Sequence, residues 1–219
     1  KKDRFRAMAT VPLQDGEMAA RELEFAVNSL GMIGAMVAAD PVEIALASEG
    51  MESLWAAAES LNVPVVIHPA THGPGAIATP PFLANIMGRT FDTTVTAAKL
   101  ILSGLLDRHP NLKLVLVHGG GYLPYQIGRL DHGYEAEAAR PRELQRDLPS
   151  SYLPLMYYDT VSMGREALRL LLDVAGARHI MIGSDFVAQA SDEHPIERVK
   201  QMNPSPEEFH FMCCGTAQT

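Results

Sequence analysis

Short, almost uninterrupted apolar runs recur along this 219-residue chain, and longer amphipathic stretches separate them. The runs cover residues 6–13 ("RAMATVPL"), 34–38 ("GAMVA"), 63–68 ("VPVVIH"), 112–118 ("LKLVLVH"), 155–160 ("LMYYDT") and 179–185 ("HIMIGSD"). They lack the polar alternation of a half-exposed antiparallel strand and so predict strands covered on both faces. The stretch 17–30 places Leu23, Val27 and Leu30 at helical spacing, and 50–61 stops before "NVP". A third helix is expected over 92–106, with "DTT" as its N-cap and Pro110 forbidding continuation. A fourth, 165–175, ends at Gly176, a C-terminal capping residue. Strands alternating with helices imply parallel βαβ units, read here as one α/β domain over residues 1–219. An open doubly wound sheet and a closed barrel both fit this pattern.

Composition narrows the partners. The net charge of −8 comes with no Lys/Arg cluster, which argues against nucleic acid or an anionic membrane surface. No apolar stretch approaches the roughly 20 residues that span a bilayer. The first residues are charged, without the apolar segment of a signal peptide. Cys213 and Cys214 are adjacent, so they are read as buried small side chains, and a reducing cytoplasm is expected.

The chemistry sits at the strand ends. One run ends in His68, the next in His118 and the last in Asp185, with Asp159 near the end of the run between them. Parallel α/β folds gather all strand C-termini on one edge, so these groups are expected to converge. Imidazole and carboxylate are the usual ligands of zinc or manganese, and they also serve as general acids and bases. His118 is followed by three glycines, which let a ligand approach the backbone. The stretch "PATHGPGAIATPPFLANIMG" after His68 reads as a long irregular loop able to lie over a ligand, with His72 a weaker ligand candidate. His109, His179, His194 and His210 read as solvated, and His132 as a structural residue on the helix after the glycines. "HGGG" also occurs in serine esterases, but no G-x-S-x-G turn is present; Ser162 in "TVSMG" comes nearest. Nor is there a G-x-G-x-x-G or Walker-type loop.

"RFRAMATVPLQDGEMAARELEFAV", "LWAAAESLNVPVVIHP", "HPNLKLVLVHGGGYLPYQIGRLDHGY", "YYDT" and "HIMIGSDF" closely resemble the amidohydrolase-2 family. These are metal-dependent (β/α) barrels related to aminocarboxymuconate-semialdehyde decarboxylase. The resemblance implies a TIM-like barrel and metal-dependent decarboxylation of an unsaturated or aromatic carboxylic acid. Hydrolysis or hydration on the same scaffold, or a non-catalytic binding or scaffold relative that has lost its metal, are the alternatives. His68 and Asp185 are implied as metal ligands, zinc first and manganese second. His118 and Asp185 are implied as the acid/base pair. Arg129 is implied to reach a substrate carboxylate, in relatives sometimes across a dimer interface, and Phe186 to contact substrate. The expected partners are a small carboxylic acid and a second copy of the chain.

The resemblance also exposes departures. The visible runs correspond to strands three to eight of the family barrel, so the first two strands, with their His-x-His pair, are unmatched and an incomplete barrel is expected. "VSMG" stands where relatives carry a histidine soon after "DT", and Val187 where they have proline.

Overall fold

The computed structural model describes residues 4–39, 46–70, 73–136, 144–186, 188 and 190–219. The elements run α1 (Gly16–Leu30), β1 (Ala35–Ala38), α2 (Glu52–Ser60), β2 (Pro64–His68), α3 (Pro74–Ala78), α4 (Pro81–Leu83) and α5 (Arg89–Leu102). They continue with α6 (Leu105–Arg108), β3 (Lys113–Leu116), α7 (Leu123–Ala136), β4 (Tyr157–Asp159), α8 (Arg165–Ala175), β5 (Ile180–Met181), α9 (Pro195–Gln201) and α10 (Pro206–His210).

The sheet has the order β1-β2-β3-β4-β5, and every pair is parallel. Each crossover carries a helix, and helices cover one face. Val65, Ile67, Leu114, Leu116, Tyr158 and Ile180 point to that side and join the main core. Because successive side chains alternate, Val66, Val115 and Val117 point the other way, packed with Met8, Tyr157 and Met181. This second face is less covered than the apolar runs predict: Met36 is 43% exposed. Strand alternation also sends His68 and Asp159 to this face, where the site lies.

The run 6–13 does not form a full strand. Its backbone pairs with the β1 segment through Ile33 N–H to the Ala7 carbonyl, Ala9 N–H to the Gly34 carbonyl and Met36 N–H to the Ala9 carbonyl. Pro12, with no N–H to give, does not extend the ladder. The helices follow local chemistry closely. Asp15 caps α1 by accepting the Met18 N–H at 2.8 Å, and Gly31 ends it at φ +69°. Leu168, Leu171, Leu172 and Ala175 make the buried stripe of α8, which Gly176 ends at φ +81°.

The stretch read as an irregular loop after His68 is instead largely helical. Pro74 opens α3, and α4 runs through a π turn (Ala84–Gly88) into α5. Two glycines let these segments touch: a Cβ on Gly75 would sit 2.3 Å from the Gly88 carbonyl oxygen, and one on Gly88 2.4 Å from that of Gly75. Asp92 therefore caps a different helix from the one expected. Its buried carboxylate accepts the Gly75 N–H at 2.7 Å, near the N-terminus of α3. His72 lies outside the described residues.

Three further expectations are corrected. His109 is buried, not solvated, because its two ring nitrogens lie 2.7 Å from Glu52 Oε1 and 3.0 Å from Glu59 Oε2. His179 is half-buried with its ring 4.9 Å from that of Tyr157. Cys213 is half-buried and Cys214 exposed, since the π turn Phe211–Gly215 presents them at the surface; both are free thiols. No described helix is long and apolar enough to cross a membrane.

Candidate metal centre

His68 is the last residue of β2 and continues the inward alternation of Val66. Its Nδ1 lies 3.0 Å from the Pro69 carbonyl. A carbonyl only accepts, so Nδ1 carries a proton, and in the neutral ring this leaves the lone pair on Nε2. That is the arrangement of a metal-ligating imidazole held by an outer hydrogen bond.

His118 follows β3, where alternation alone would send it towards the helices. A left-handed backbone redirects it: φ is +57° at His118, +60° at Gly119, +78° at Gly120 and +64° at Gly121. Such conformations are costly for residues with a Cβ and persist where the surroundings over-determine them. The glycines are needed for space as well. A Cβ on Gly119 would meet Ser162 at 3.0 Å, one on Gly120 the Tyr158 ring at 2.9 Å, and one on Gly121 the Thr90 carbonyl oxygen at 2.3 Å. The glycine run thus wedges the turn between β4 and α5. Asp159, at the end of β4, secures it by accepting the Gly119 N–H at 2.9 Å and the Val161 N–H at 3.0 Å through the same oxygen.

Asp185 lies beyond β5, also left-handed at φ +52°. Its Oδ1 is 4.0 Å from His68 Nε2 and its Oδ2 3.7 Å from His118 Nε2. The imidazole rings of His68 and His118 stand 5.5 Å apart at 62°. One donor atom from each of the three residues falls within 4.8 Å of the others. Two imidazoles and a carboxylate from different strand ends therefore surround one point, and the donor set fits a divalent metal.

Burial holds the His118 imidazole below its ordinary pKa, although the charges of Asp159 and Asp185 act in the opposite sense. The ring thus favours the neutral form, as a ligand or a general base requires. His118 Nδ1 is buried without a partner among the described residues. Burial raises the carboxyl of Asp159, while its hydrogen bonds from the backbone oppose that shift.

Two cavities reach the triad. A smaller one, about 410 Å³, is lined by His68, His118, Asp159, Asp185 and Phe186 among others. The larger, about 590 Å³, opens from His118 and Asp185 towards Met87, Tyr122, Val161 and Leu170. Its lining is mainly apolar, with Ser162 and Glu166 among its few polar groups. Phe186 is 85% exposed at the rim of the smaller cavity. Arg129 is exposed on α7 and lines neither cavity. Sequence reasoning noted Asp159 without giving it a task; its place at the end of the strand beside the glycine turn was the available signal. The cavity-lining role of Ser162 and Tyr122 had no signal in the sequence.

With this geometry established, known proteins are informative. The family profile described as Amidohydrolase (Amidohydro_2) matches residues 1–219. The chain is similar to 2-amino-3-carboxymuconate-6-semialdehyde decarboxylase of Dictyostelium discoideum, 26% identical over 209 residues, or 94% of this chain and 58% of the relative. It is 33% identical over 198 residues to gamma-resorcylate decarboxylase of Polaromonas sp. (strain JS666), covering 84% of this chain and 60% of that relative. Among solved structures it superposes on a dihydroxybenzoic acid decarboxylase from Polaromonas sp. JS666 with bound manganese and the inhibitor 2-nitroresorcinol. There the TM-score is 0.86 and the identity 28%, over 100% of this chain and 69% of that one. The chain spans about three fifths of the length of these curated relatives. The matched profile runs through every element described above, and the chain belongs to the amidohydrolase-2 family.

Proposed function

We propose that the protein is a metal-dependent decarboxylase of an unsaturated or aromatic carboxylic acid. The observation that carries this reading is the convergence of His68, His118 and Asp185 beside a mainly apolar cavity. Small-molecule sites combine an apolar lining with a few convergent polar groups in this way. Two decarboxylases among its relatives support the reaction class.

His68 Nε2 and Asp185 would hold the ion, zinc by the chemistry of the donors and manganese by the precedent of the Polaromonas structure. When bound, the ion supplies positive charge that polarises oxygen atoms of the substrate. His118, neutral and close to Asp185, moves the proton. As the bond to the carboxylate breaks, its electron pair stays on the carbon left behind, and that carbon takes the proton through the His118–Asp185 pair. Arg129, exposed and lining neither cavity of its own chain, would neutralise a carboxylate in the site of a second copy. Phe186 packs on the apolar body of the acid. Exposed Ile77, Phe82, Phe91 and Tyr125 support self-association of the chain as a dimer. The free thiols of Cys213 and Cys214 support a reducing, cytoplasmic setting.

The test is carbon dioxide release from a panel of carboxyl-labelled hydroxybenzoic and unsaturated acids, beside a His118→Ala variant. Release by the wild type and its loss in a folded variant are expected. Activity retained in His118→Ala, or water addition with no carbon dioxide, would overturn the reading.

A further inference from the structure

We infer that the ion pair of buried Asp192 with half-buried Arg198 positions Asp185 for metal binding, a reading that rests on the metal centre proposed above. Asp185 sits in a left-handed conformation beyond the end of β5. Contacts around it have to hold it there.

Asp192 supplies one fixed point. Its N–H donates to the carbonyl of Ser184, the residue before Asp185, at 2.8 Å. Its side chain is 1% exposed, and Oδ1 accepts the His194 N–H at 2.9 Å. Oδ2 accepts Arg198 Nε in a short charge-assisted hydrogen bond. Arg198 then reaches the other side of the site, where Nη1 donates to the Met163 carbonyl at 3.2 Å. Met163 is itself left-handed, at φ +59°, and lines the larger cavity beside Ser162. One ion pair thus joins the loop carrying Asp185, the start of α9 and the wall formed between β4 and α8.

Burying the Asp192 carboxylate is a poor way to gain stability, because its desolvation offsets much of the attraction to Arg198. Fixing a geometry is the better-attested use. This pair stands apart from Arg178–Glu207, which is exposed and touches neither Asp185 nor the cavity. Asp192 and Arg198 do not touch the reacting atoms in this account. They are positioning residues, so the readout is affinity for the ion, not turnover.

The test titrates Mn²⁺ into the full chain and follows free Mn²⁺ by electron paramagnetic resonance, with thermal unfolding of each variant in parallel. Asp192→Asn and Arg198→Gln are expected to weaken Kd about 3- to 10-fold, below or at the low end of what removing a direct outer partner of a ligand does, because the pair reaches Asp185 only through Ser184. The double variant is expected to be no weaker than the worse single one, because both break the same link. Arg178→Gln should leave Kd unchanged. Arg198→Lys, which keeps the charge beside Asp192 but loses the fork to Met163, keeps the question open to test should the first two variants fail to fold. Its Kd is expected to be raised at least threefold. Kd within twofold of wild type in the folded variants, with only the melting temperature lowered, would reduce the pair to a structural role and overturn the inference. A wild type that binds no Mn²⁺ would instead overturn the metal centre itself, and the inference with it.

Discussion

Replacing Gly121 by alanine tests the account of the glycine turn that seats His118. Two costs are expected together. The backbone stands at φ +64° and ψ −126°, a conformation for glycine alone, and forcing an L-residue into it costs about 1–3 kcal/mol. The new methyl would lie 2.3 Å from the Thr90 carbonyl oxygen and 2.6 Å from Thr94 Oγ1, so α5 must give way. Overpacking of this kind costs about 1–3 kcal/mol more. Thr94 has little freedom to move, since its hydroxyl accepts the Tyr122 N–H at 2.7 Å. The sum, about 2–6 kcal/mol, is a large part of the roughly 5–15 kcal/mol that holds a domain folded. Gly128 is the matched contrast: it lies within α7, and a Cβ there meets nothing within 4 Å. Alanine at that position should stabilise by about 0.5–1 kcal/mol. Urea unfolding of both variants measures the difference. With a slope of roughly 2–3 kcal/mol/M, Gly121→Ala should lower the midpoint by about 0.7–3 M and Gly128→Ala should raise it slightly. A Gly121→Ala midpoint within about 0.3 M of wild type would refute the steric account.

Asp159→Ala removes the acceptor of the Gly119 and Val161 N–H groups, and each stranded donor costs about 1–3 kcal/mol, partly offset because the carboxylate itself is costly to bury. Chemical denaturation should show the loss, and Asp159→Asn, whose Oδ1 still accepts, should recover most of it; equal losses would argue against the hydrogen bonds. At the opposite end of the strands, the Arg108 guanidinium and His109 hold the Glu52 carboxyl below its usual range. Burial pushes Glu59 the other way, but the Asn111 N–H and His109 outweigh it, so its carboxyl too is lowered. Because both folded values lie below the unfolded ones, this stabilisation is full above about pH 4.5 and is lost as the pH falls through the folded values. Melting temperatures from pH 6 to pH 3 should fall less steeply in His109→Ala than in wild type, and parallel curves would sink the assignment.

Where local chemistry decided the outcome, the sequence could be read directly. The leucine stripe of α8 with Gly176 behind it sets that helix at Arg165–Ala175, and apolar runs stopped by polar residues place His68 at the end of β2 and His118 and Asp185 just past β3 and β5. Where a partner distant in sequence decided it, reading failed. Asp92 looks like a cap for the residues after it, but the open N–H of Gly75 captures it. His109 looks like a loop histidine, yet the carboxylates of Glu52 and Glu59, some 50 residues away, pull it inside. The Gly75–Gly88 contact that turns the expected loop into packed helices is likewise a meeting of two backbones that neither glycine announces alone. Convergence of the site was legible because parallel topology forces strand ends together. The left-handed turns that aim His118 and Asp185 were not, apart from the glycines beside His118.

The central claim is that His68 and Asp185 hold one divalent ion beside His118. Elemental mass spectrometry of the purified chain, beside His68→Ala, tests it most directly. The account predicts about one zinc or manganese per chain in the wild type and a large loss in the variant, since His68 is one of the two residues proposed to hold the ion. Equal metal content in the two proteins, or none above background in either, would contradict it.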